Sequence, residues 1–273
     1  MRKLICTIGL LAAANTAYAG EVFFQGFETD TAGYFDVDDN WFGQATRVAS
    51  GTDGITSSSG SFHAVFEQGL AQSNDPADGI SAPFTRFDTS RSVWQGGFTA
   101  QADVYLDPNA FTTGEGFDYS VAVNRQNGEH LRDFIFHVTK DTSTGSLLIG
   151  GSNNTNFDPR EDLESLNNFE VTTPGWYTLE HNAYENGLGD LAVDLNLLDE
   201  NGVVLFTETR TTTADDIDTV VGGNRYAWFT NIDVAGGIAV DNVGLNVIPE
   251  PMAALGGLTL LGLVGLRRSQ SAT

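Results

Sequence analysis

Apolar and polar positions alternate with a period of two along most of the chain, as they do in a β-strand with one buried and one wet face. The segment FTAQADVYL shows this best. Phe98, Ala100, Ala102, Val104 and Leu106 fall on one face, and Thr99, Gln101, Asp103 and Tyr105 on the other. Ten further β-type runs, EVFFQGF, SFHAVFE, DYSVAVN, DFIFHVTK, SLLIG, WYTLEHNAY, LAVDLNLL, VVLFTETR, RYAWFTNI and GIAVDNVGLNV, are separated by Gly, Asn, Asp and Thr. Strands at that spacing predict one all-β domain, a jelly-roll-like antiparallel β-sandwich. Asp199-Glu200-Asn201-Gly202 predicts a hairpin, because Asn-Gly readily adopts the positive φ angles of a tight turn. A helical turn is expected only over DPREDLESLNNF, residues 158–169. Polar stretches around 50–60, 107–116 and 150–168 predict loops.

The two ends break this pattern. MRKLICTIGLLAAANTAYAG begins with Arg2 and Lys3, runs apolar from Leu4 to Ala14, and reaches small residues at Ala17 and Ala19. That is the order of a secretory signal peptide, cut after Ala19, whose apolar run is too short to span a bilayer. Cys6, the one cysteine, heads this run rather than following it, so lipid attachment is not expected. The body, residues 20–248, then folds without disulfides.

At the other end, VIPEPMAALGGLTLLGLVGLRRSQSAT carries fifteen uncharged residues from Met252 to Leu266, followed by Arg267 and Arg268. A permanent span takes about 20 apolar residues. This Gly-rich helix therefore suits transient insertion, with the arginines on the cytoplasmic side. Pro249-Glu250-Pro251, a short apolar helix and a basic pair together resemble the PEP-CTERM sorting signal of Gram-negative bacteria that make extracellular polysaccharide. The resemblance covers residues 249–273. It implies an exosortase-type membrane enzyme as partner, recognition through Pro249, Glu250, Pro251, Arg267 and Arg268, and delivery of the body to the cell surface or exterior. As an address it carries nothing about the body's activity.

Charge narrows the partners. The chain carries 13 basic and 36 acidic residues, and the body alone holds 9 of the first and 35 of the second, a formal charge of −26. Such a surface repels nucleic acid and anionic lipid, and it is compatible with divalent cations and neutral polysaccharides. The stretch TPGWYTLEHNAYENGLGDLAVDLNLLDENG resembles the Gly-Trp strand and hairpin of concanavalin-A-like and laminin-G-like sandwiches. FFQGFETDTAGYF and GIAVDNVGLNV resemble the first and last strands of exported jelly-roll and carbohydrate-binding modules.

No motif of catalysis accompanies this frame. DVDDNW places Asp36, Asp38 and Asn40 as in an EF-hand loop, but Trp41 stands where that loop needs Gly and Arg47 where it needs Glu. The jelly-roll resemblance implies a different cation site, a structural calcium joining Glu28 and Asp30 near the first strand to Asp241 on the last. His63, His130, His137 and His181 form no zinc pattern. The E-x-D-x-x-E array of sandwich glucanases is missing, as are G-x-S-x-G and phosphate-binding loops. No catalytic residue is assigned, and a non-enzymatic body is expected. Trp41 and Trp94, flanked by polar and Gly-rich sequence, are candidate platforms for stacking a sugar ring, whereas Trp176 and Trp228 are expected in the core. The readings that follow are a polysaccharide-binding surface or matrix protein, a divergent glycan-active enzyme, and a purely structural adhesive domain.

Overall fold

The computed structural model describes residues 20–35, 42–69, 80–94, 96–153, 157–211 and 222–248. The signal segment, the sorting tail and Trp41 lie outside these residues. Among the described residues no helix is long and apolar enough to cross a membrane.

Two antiparallel sheets face each other. One contains β1 (Gly20–Gln25), β3 (Gln44–Ala49), β4 (Phe62–Glu67), β6 (Phe98–Leu106), β11 (Gly175–Glu185), β12 (Leu191–Leu198), β13 (Val204–Arg210) and β15 (Ile238–Val247). Its order is β13-β12-β11-β6-β15-β4-β3, with β1 also paired to β15. The other runs β10-β9-β8-β7-β14-β5-β2. Its strands are β2 (Tyr34–Phe35), β5 (Ser81–Thr85), β7 (Gly116–Asn124), β8 (His130–Lys140), β9 (Leu147–Asn153), β10 (Asn168–Val171) and β14 (Asn224–Thr230). The chain is therefore the all-β, jelly-roll-like sandwich that its periodicity predicts.

All eleven expected strands are present, and β6 turns the expected apolar face inward, with each of its five residues in the core. The remaining four, β2, β3, β5 and β10, are short or carry weak signals: β5 contains Pro83 and β3 alternates without large apolar residues. The stretch expected to be one helical turn divides into α1 (Asp158–Glu161), a single 3₁₀ turn at Leu163–Ser165, and β10. The hairpin between β12 and β13 forms as expected, with Gly202 at φ 76° and the Asp199 carboxylate accepting from Asn201 N and Val203 N.

Between the sheets, Tyr119 stacks on Phe229 with centroids 4.5 Å apart, and Phe66 meets Phe229 edge-on at 5.2 Å. His181 of β11 points into this apolar layer. Its Nε2 donates to the Phe134 carbonyl of β8 at 2.9 Å, and its ring packs edge-on against Tyr119 and Phe136. Burial pushes its pKa down to about 3, partly offset by the Phe134 carbonyl. In β15 the register against β6 slips by one residue between Asp241 and Gly244, at Asn242, whose φ is 46°. This bulge lets the first half of β15 pair with β4 and the second half with β1.

Candidate functional site

Strand alternation decides which side chains the seven-stranded sheet shows to the outside. On β7 and β8 the odd and even positions Phe117, Tyr119, Val121, Phe134, Phe136 and Val138 enter the core, so Asp118, Ser120, Ile135 and His137 lie on the opposite face, where they too are buried. On β14, Ala227 and Phe229 go in, leaving Tyr226 and Trp228 out. Trp228 is therefore not the core residue its strand suggested. Trp176 is also half-buried on the outer side of its sheet, edge-on to Tyr105 and His63, with Nε1 donating to the Thr56 carbonyl.

The outward aromatics of β5 and β14 form a cluster. Phe84 lies 5.1 Å from Tyr226 and 6.1 Å from Trp228, and Phe42 stacks on Phe84 at 5.2 Å with ring planes 28° apart. All four are half-buried, so each presents part of a ring to solvent. Polar groups border them. Tyr226 Oη donates to Asp133 Oδ1 at 2.8 Å, His130 Nε2 lies 3.1 Å from Asp133 Oδ2, and the His130 ring is parallel to that of Tyr226 within 12°. Trp228 Nε1 donates to Ser81 Oγ at 3.2 Å. Burial and the neighbouring Asp133 carboxylate both hold the Tyr226 phenol well above its ordinary pKa, so it stays a neutral donor. Apolar ring faces ringed by fixed hydrogen-bonding groups can take a ligand with one apolar and one hydroxylated side, as a sugar ring has.

Next to this cluster a second network fills the same face. His137 Nδ1 is 2.8 Å from Asp118 Oδ1, and His137 Nε2 is 2.7 Å from Ser152 Oγ. Asp118 also accepts from Phe157 N at 2.9 Å and Asn231 Nδ2 at 3.2 Å. Burial by itself raises the Asp118 pKa, but His137, the Arg160 charge and the Phe157 N–H outweigh it and hold the carboxyl below the ordinary 3.8.

The residues singled out in the sequence sit elsewhere. Trp94 is half-buried, packs against the core and donates from Nε1 to Asn224 Oδ1 at 2.7 Å. Trp41 lies outside the described residues. Asp30 accepts from Ala32 N and Gln25 Nε2 in its own turn and takes no part in a shared site; these bonds lower its pKa. Glu28 and Asp241 do approach one another, around the loop at Ser57–Ser61, and Asp103 joins them as the register partner of Asp241. Their oxygens already face hydrogen-bond donors, however. Ser61 N and Phe62 N point at Glu28 Oε1, and Ser59 N and Asn242 N point at the two oxygens of Asp241. N–H groups aimed at these oxygens oppose a cation, and among the described residues no three His, Asp or Glu side chains form a metal-holding group. This arrangement does not fit a calcium ion joining Glu28, Asp30 and Asp241. Instead, burial first, then the charges of Asp103 and Glu28, push the Asp241 pKa up to about 6.

No protein-family model matches the chain, and no curated protein sequence matches it significantly. Several solved structures resemble it. An endo-1,3-β-glucanase from Streptomyces sioyaensis is 13% identical over 88% of this chain and 100% of that one, with a TM-score of 0.45. An alginate lyase in complex with an alginate trisaccharide is 12% identical over 84% and 99%, with a TM-score of 0.45. The lectin I of Ulex europaeus, bound to a methyl glycoside of α-L-fucose, is 13% identical over 79% and 98%, with a TM-score of 0.39. Such scores leave ligand and reaction undecided.

Proposed function

We propose that this chain is an exported glycan-binding protein that takes neutral polysaccharide on the outer face of its seven-stranded sheet. The observation that carries the reading is the partly buried cluster of Phe42, Phe84, Tyr226 and Trp228, bordered by His130 and Asp133. A formal charge of −26 on the body favours neutral over acidic chains. Signal peptide and PEP-CTERM-like tail complete the reading: an exosortase-type enzyme processes the tail, and the body reaches the cell surface or the surrounding matrix.

The test is retention of the purified protein on a panel of neutral and acidic polysaccharides, followed by titration with the best. Phe84→Ala and Trp228→Ala should each weaken binding about 5- to 30-fold, the worth of about 1–2 kcal/mol of lost stacking. Wild-type protein retained by no polysaccharide, or variants that bind as it does, would sink the reading.

A further inference from the structure

The Asp118, His137 and Ser152 network has the arrangement of an acyl-transfer centre, which no motif in the sequence announces. Three facts carry this. Asp118 is fully buried and its carboxylate accepts from three donors besides any charge nearby: Phe157 N, Asn231 Nδ2 and His137 Nδ1. An ionised carboxylate only accepts, so the proton of the neutral imidazole sits on Nδ1 and Nε2 is left with its lone pair. That lone pair is aimed at Ser152 Oγ, 2.7 Å away, on a serine that is partly exposed at the end of β9. Hydroxyl, base and orienting carboxylate thus stand in sequence, each within hydrogen-bond reach of the next, which is how such centres are recognised on unrelated folds.

The sheet register then says what would reach Ser152. Trp228, Ser120, Ile135 and Ser152 are successive partners in one row across β14, β7, β8 and β9. With about 4.8 Å between neighbouring strands, Ser152 lies about 14 Å from Trp228 along that row. Ser120 and Ile135, between the two in that row, are themselves covered, so a glycan stacked on the aromatic cluster would pass above that cover to bring a substituent to the partly exposed Ser152.

We infer that Ser152, His137 and Asp118 are nucleophile, general base and orienting carboxylate of an esterase that removes acyl groups from a bound glycan. The substrate class rests on the glycan reading above; the chemistry does not. Ser152 Oγ bonds to the ester carbonyl carbon while its proton passes to His137 Nε2. The bond from that carbon to the sugar oxygen breaks, and the departing oxygen takes the proton. Water then attacks the acyl-Ser152 carbon, its proton travels through His137 back to Oγ, and the free carboxylic acid leaves.

The experiment treats the intact, folded protein with a fluorophosphonate probe and locates the adduct by peptide mass analysis, alongside turnover of p-nitrophenyl acetate. The adduct is expected on Ser152, with ester turnover at least 100-fold above that of Ser152→Ala. His137→Gln, checked for an unchanged thermal transition, loses both signals. A hydrogen bond with only a structural role leaves Ser152 no more reactive than other serines, so folded wild-type protein unlabelled at Ser152, or turnover unchanged in Ser152→Ala, overturns the inference. Polysaccharide retention separates the two readings. Ser152→Ala should keep it, and a labelled Ser152 in a protein that no polysaccharide retains preserves the esterase and removes the glycan.

Discussion

The buried His181 should set the acid limit of the fold. Nε2 is committed to the Phe134 carbonyl, and Nδ1 has no hydrogen-bond partner among the described residues, so a second proton would enter an apolar layer between Tyr119 and Phe136. Its folded-state pKa of about 3 lies below the unfolded 6.5, so the unfolded chain takes up protons first and stability falls as pH drops through that window. At about 1.36 kcal/mol per pH unit, the loss relative to neutral pH is about 2 kcal/mol at pH 5 and about 3 kcal/mol at pH 4. His181→Gln keeps an amide donor within reach of Phe134 and removes the titration. The variant should be about 1–2 kcal/mol less stable at pH 7 through poorer packing, and should match or exceed wild type by about pH 4–5. Urea unfolding at pH 7.5, 5 and 4 measures this, with NMR titration of the His181 ring as a direct check. Parallel pH curves for the two proteins, or a ring that titrates near 6.5 in the folded state, would refute the argument.

Asp241 works in the opposite direction. Its folded-state pKa of about 6 lies above the unfolded value, so its contribution to stability improves as pH falls from 7 towards 4. Asp103→Asn removes one of the charges acting on it and can keep its hydrogen bonds: with the amide nitrogen turned to Thr178, whose hydroxyl can accept, the amide oxygen still accepts from Ser58 Oγ and Asn242 Nδ2. Carboxyl-carbon NMR should then show Asp241 titrating below its wild-type value, with a gain of about 1 kcal/mol at pH 7; an unmoved titration counts against the pairing. Replacing Pro249, Glu250 and Pro251 with alanines should leave the tail uncut and the protein in the inner membrane, read by fractionation and mass. Normal surface delivery of that variant would remove the sorting proposal.

The sandwich was legible because most strands have one apolar and one polar face, and FTAQADVYL shows this without ambiguity. Its outer face was harder to read. In RYAWFTNI both registers carry aromatics: Ala227 and Phe229 on one, Tyr226 and Trp228 on the other. Periodicity cannot say which set is inside until the strand is paired, and a shift of one residue exchanges them. The aromatic cluster also draws on Phe42 and Phe84, far from β14 in sequence, and Phe84 belongs to a strand that Pro83 disguises. Asp118, His137 and Ser152 come from three strands with no shared spacing. Only the register of β7, β8 and β9 brings them together. Trp94 had the polar surroundings of an exposed residue, but its indole N–H finds Asn224, 130 positions later in the chain, and the ring packs inward.

The position of β15 has a consequence for the order of events during synthesis. The last strand of the body lies in the interior of its sheet, with β6 on one side and β4 and β1 on the other. Until residue 247 has emerged, three other strands have open edges, and the Gly20↔Val247 pair must close nearly the whole chain into a loop. Folding of this sheet is therefore late and dominated by distant pairings. A protein truncated before β15 should therefore aggregate through its exposed edges instead of folding to a smaller sandwich.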